Sequence, residues 1–127
     1  MKNTVVAIFT IFCIWQSQLS AQEIAQWRGE NRDGIYNESN LLKQWPEDGP
    51  TLLWHYDELG PGHGSAAVTN DFVYTTGTTL EGIGFVVALN HSGEKVWQSE
   101  IGKEWMENFD GTRSTPLIYN GKVYIMS

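Results

Sequence analysis

His63 immediately precedes the run Gly64 to Thr69, and Arg113 stands at the matching point before Ser114 to Leu117. Glu107 and Asp110 lie just upstream of that arginine. A guanidinium and an imidazole at the entry of two strands are donors suited to a polar or anionic ligand. His63, Asp110 and Arg113 are therefore the candidate ligand contacts. The competing reading is a solvated loop or a local ion pair. The sequence nominates no catalytic residue. His55 and His91 have no Cys or Glu partner at ligand spacing and so make no metal site. No carboxylate cluster has the spacing of a calcium loop. Trp54 and Trp97, 43 residues apart, read as packing residues. Trp105, in the stretch Lys103 to Asp110, is the aromatic candidate for a surface contact.

These side chains need a scaffold, and the chain has 127 residues to build one. Its first 21 residues read as a signal peptide: Lys2, an uncharged apolar run from Val5 to Trp15, then small or polar residues up to a cut after Ala21. The run is about half of the ~20 residues that span a bilayer, so no transmembrane span is expected after cleavage. Phe12 before Cys13 disfavours lipidation. The expected destination is periplasmic or extracellular. Cleavage removes the only cysteine and leaves 7 Lys and Arg against 15 Asp and Glu. An acidic chain with no basic run repels nucleic acid and anionic headgroups. Asn37-Glu38-Ser39 and Asn90-His91-Ser92 match a glycosylation pattern too short to be informative.

Short apolar runs separated by Gly, Asn, Asp and Pro predict an all-β fold. Strands are expected at Gly64 to Thr69, Phe72 to Gly77, Phe85 to Leu89 and Glu94 to Ile101. Asn120-Gly121 suits a type I′ hairpin, in which both central residues take positive φ. Asn90 to Gly93 makes another hairpin loop, with Gly93 left-handed. The chain also repeats itself. Leu52-Leu53-Trp54 matches Lys95-Val96-Trp97, and Ser65 to Val68 followed by Val73-Tyr74 matches Ser114 to Leu117 followed by Val123-Tyr124 with a one-residue gap. A period of ~40–45 residues carrying four short strands is that of a propeller blade. Residues 22–50 read as an irregular leader anchored by Trp27 and Trp45. Residues 51–127 read as propeller, with Leu52 to Leu59 as a ring-closing strand, then one blade and the start of a second.

Ala88-Leu89-Asn90-His91-Ser92-Gly93-Glu94-Lys95-Val96-Trp97 resembles the PQQ-type repeat of quinoproteins, whose pattern is Ala-Leu-Asp, two variable residues, Gly-Lys, two apolar residues and Trp. Asn90, Ser92 and one extra residue before Lys95 depart from it. Trp27-Arg28-Gly29, Arg32-Asp33-Gly34, Trp45-Pro46 and Gly49-Pro50 look like the start of exported bacterial PQQ-like propellers, and Gly111 to Pro116 resembles their second-blade entry.

The resemblance implies four-stranded antiparallel blades, incomplete as a ring in this chain. It makes Ala88, Leu89, Asn90, Gly93, Trp97 and Trp54 structural, with the Trp packed between blades. A single blade and part of the next are expected not to fold autonomously, because at least ~3 repeats usually build a continuous core. Such relatives include quinone-dependent dehydrogenases and an assembly scaffold, so fold leaves function open. The leading expectation is a binding or scaffold module for a small molecule, glycan or protein, with no evident cofactor. The alternative is a PQQ- and calcium-dependent dehydrogenase of alcohols or sugars, which requires a calcium site with an aspartate base; alcohol-oxidising members also carry adjacent cysteines.

Overall fold

The computed structural model describes residues 23–127. The signal peptide expected over residues 1–21 lies outside them. The described residues are all-β, without a helix. Seven strands form two antiparallel sheets. The first has the order β2-β3-β4-β5, built from Ala67–Val68, Val73–Thr78, Ile83–Leu89 and Lys95–Lys103. The second has the order β1-β6-β7, built from Ile24–Ala25, Leu117–Tyr119 and Lys122–Tyr124. The sheets do not close into a ring.

β3 and β4 form where apolar and β-branched residues are densest, as the pattern requires of strands covered on both faces. One face of the four-stranded sheet carries Ala67, Tyr74 and Ala88, which pack with Ala25 and Ile118 of the second sheet. Burial comes first among the causes that push the Tyr74 phenol above its ordinary range. The other face carries Phe85, Val87 and Leu89, covered by Trp54, Tyr56 and Leu59. Both turns predicted from composition are present. Asn120 and Gly121 have φ of 52° and 66°, and Gly93 has φ of 83°. Asn90 builds its loop by accepting the amides of Ser92 and Glu94 on Oδ1, at 3.0 and 2.9 Å.

Several boundaries differ from the sequence reading. The strand expected over Gly64 to Thr69 is only Ala67–Val68; just before it, the His63 and Ser65 amides bond to Thr112 and Thr115 instead of extending the ladder. Leu52 to Leu59 forms no strand; Trp54, Tyr56 and Leu59 lie over a sheet face, while Leu52 and Leu53 are exposed. The leader contributes β1, which pairs with β6 through Ile24↔Tyr119 and Ala25↔Ile118. β5 is the edge strand of its sheet and is exposed along nearly its whole length, so its sequence alternation does not become an alternation of burial; it also carries register shifts opposite Gly84/Phe85 and Ala88/Leu89. Trp97 lies 6.0 Å from Tyr74 and stays 36% exposed.

Two hairpins share one register, although Trp54 and Trp97 do not follow its offset. Ala67↔Tyr74 and Val68↔Val73 recur as Leu117↔Tyr124 and Ile118↔Val123, each residue 50 positions on, with no gap. The sequence match paired Ser65 with Ser114; the register pairs it with Thr115.

The two repeats are joined by threonines. Thr78 Oγ1 accepts the Thr112 amide at 3.0 Å, in a buried bond. Thr76 Oγ1 donates to the Ser114 carbonyl at 3.2 Å. Thr78→Val keeps the shape and removes the acceptor, leaving a buried N–H unpaired. Stability should fall by about 1–3 kcal/mol. Urea denaturation checks this; a midpoint equal to wild type would show that Thr112 finds another partner.

Candidate functional site

The site forms where the entry segments of the two repeats run side by side. Gly62 and Thr112 form a parallel bridge, and the His63 amide donates to the Thr112 carbonyl at 2.7 Å. The Ser65 amide donates to Thr115 Oγ1 at 3.1 Å. His63 and Arg113 thus occupy the same place in successive repeats. The segments approach closely because Gly64 has no side chain: a methyl there would stand 2.5 Å from Thr76 Oγ1 and 2.7 Å from the Ser114 carbonyl oxygen.

A groove of 590 Å³ opens over this junction. His63, Ser65, Arg113, Ser114 and Thr115 line it from the entry segments, Leu117, Tyr124, Ile125 and Met126 from the second hairpin and beyond, and Trp27 from the leader. Arg113 is positioned by its own loop: one Nη donates to the carbonyls of Asn108 and Phe109, at 3.0 and 2.6 Å. His63 meets the Phe109 ring edge-on at 6.3 Å between centroids. Ser114 Oγ donates to the Met126 carbonyl, and Arg28 sits 5.4 Å over the Trp27 ring. The lining carries a guanidinium, an imidazole, hydroxyls and two aromatic rings, but no carboxylate. Those groups donate hydrogen bonds to a polar or anionic ligand and stack on a flat one.

Of the sequence candidates, His63 and Arg113 are brought together on the groove. Asp110 is exposed, is not in the lining and makes no ion pair among the described residues. Glu107 and Trp105 are likewise exposed and outside it. His55 makes an exposed 4.0 Å contact with Asp57, and His91 bonds the Thr69 carbonyl through Nε2 at 3.1 Å. Trp54 packs on the 90–94 turn: a methyl on Gly93 would stand 2.8 Å from its indole. Sequence reasoning missed Trp27 and Tyr124 as groove residues. Trp27 sits in a polar leader and is 60% exposed, so it lines the groove rather than packing in a core as the sequence suggested.

The groove does not fit the calcium–quinone reading, since Ca²⁺ takes several oxygen ligands, largely carboxylate, and the lining supplies no carboxylate. Among the described residues no group of three or more His, Cys, Asp or Glu is placed to hold a metal ion. Nor is any helix among them long and apolar enough to cross a membrane. No family model, curated protein or solved structure matches the chain.

Proposed function

We propose that the chain carries consecutive blades of an exported PQQ-like β-propeller that works as a binding or scaffold module, with its ligand held at the junction between repeats. The observation that supports this best is the 50-residue recurrence of the hairpin register, which sets His63 and Arg113 at equivalent places on one groove. Stacked four-stranded units whose faces bury one another around a central channel are how propellers build a core. The sandwiching of Ala67, Tyr74 and Ala88 against Ala25 and Ile118 is compatible with two neighbouring blades. Export rests on the sequence of residues 1–21.

The test is a binding screen of the full-length protein against glycans, peptides and small carboxylates, alongside the His63→Gln/Arg113→Gln double variant. At least one class should bind the wild type and lose about tenfold or more in affinity in the variant, the effect of removing charge-assisted hydrogen bonds. Binding that ignores both residues, or none in any class, would remove the groove from the account.

A further inference from the structure

We propose that the groove takes an acidic saccharide, a sugar bearing a carboxylate; this rests on the binding-module reading above. Three observations converge. The chain has a net charge of −7, yet the groove lining contains Arg113 and His63 and no carboxylate. It is therefore a locally cationic spot on an acidic protein. Arg113 commits one nitrogen to the Asn108 and Phe109 carbonyls, which fixes the plane of the guanidinium. Its other N–H groups, on Nε and the second Nη, have no protein acceptor among the described residues and are able to donate charge-assisted hydrogen bonds to a carboxylate.

The second observation is aromatic. Trp27 and Tyr124 line the groove while remaining 60% and 47% exposed. Exposed rings beside hydrogen-bonding groups serve ligands with one apolar face and many hydroxyls, which describes a pyranose. The third is the hydroxyl set. Thr115 Oγ1 accepts the Ser65 amide, so its own proton is free to donate, and the Ser65 hydroxyl lines the same wall. A plain anion would use the arginine and leave the rings idle. A neutral sugar would use the rings and leave the arginine idle. A uronic acid uses both.

Isothermal titration of the full-length protein with trigalacturonic acid, its methyl-esterified trimer and citrate separates these cases. Trigalacturonate should bind, and affinity should fall about tenfold or more on esterification and in Arg113→Gln, with Arg113→Lys between. Trp27→Ala should weaken trigalacturonate similarly while leaving the melting temperature unchanged, which keeps the test independent of any folding defect at Arg113. Raising salt should weaken binding. Equal affinity for the ester, equal affinity for citrate, or indifference to Trp27→Ala would each overturn the proposal. Arg113-dependent binding of a peptide or neutral glycan without trigalacturonate binding would overturn it while leaving the binding-module reading intact. Absence of binding across every class would overturn both.

Discussion

Gly111→Ala is expected to be among the most damaging single substitutions in the chain and to abolish the groove as well as lower stability. Gly111 is buried and has φ of 90°, a conformation that costs an L-residue roughly 1–2 kcal/mol. Space is the larger problem. A methyl at this position would stand 2.6 Å from the Pro61 carbonyl carbon, nearer still to its oxygen, and 2.9 Å from the Gly62 nitrogen. All of these are backbone atoms, so no side chain can swing aside. The entry segments would have to part, breaking the Gly62–Thr112 bridge and the bond from the His63 amide to Thr112. Gly121→Ala is the control, since Gly121 has φ of 66° but nothing within 4 Å of the added methyl. Urea denaturation should show a loss of about 1–2 kcal/mol for Gly121→Ala, the conformational cost alone, and a clearly larger one for Gly111→Ala. Equal losses would mean that the close approach contributes nothing.

That contrast shows where the sequence is informative. Asn120-Gly121 is legible because its requirement is local: two positive φ values in a two-residue loop. β3 and β4 are legible because Phe72 to Gly77 and Phe85 to Leu89 suit buried strands by composition; the strands themselves run Val73–Thr78 and Ile83–Leu89. The junction is not legible. It depends on Gly64 meeting Ser114, on Thr76 bonding Ser114 and on Thr78 bonding residue 112, across 34 or more positions with no periodic signal. Aligning Ser65 with Ser114 by identity introduced a gap, whereas the hydrogen-bond register aligns unlike residues, Ser65 with Thr115 and Ala67 with Leu117, and needs none. β1 escaped notice because two residues inside a polar leader carry no pattern; β6 makes them a strand. His63 and Arg113 stood out as charged residues before strands, but the rings that complete the groove come from the leader and from β7, which only folding brings near.

Phe85→Ala tests how the second face of the four-stranded sheet is closed, and its expected cost is about 3–5 kcal/mol. Phe85 is 4% exposed, and its ring lies directly over Gly77, where a methyl would meet it at 2.5 Å. It shares a cluster with Val87 and Leu89, on which Trp54, Tyr56 and Leu59 pack. Because residues 51–57 have no ladder bonds to hold them, their attachment depends mainly on that apolar contact, assisted by the bond from the Thr78 amide to the Leu59 carbonyl. Truncating Phe85 therefore opens a cavity under the segment and removes part of its platform. Two readouts should move together: the urea midpoint should drop, and limited proteolysis should cut faster between residues 51 and 59 under conditions where the rest of the chain resists. Trp54→Ala should reproduce the proteolysis at smaller cost in stability, since Trp54 is only partly buried. A Phe85→Ala variant that loses stability without faster cleavage would mean that the segment is held by something other than this face. A full-length protein in which residues 51–59 stay protected in both variants would point to ladder pairing, the ring-closing role expected of them from the repeat.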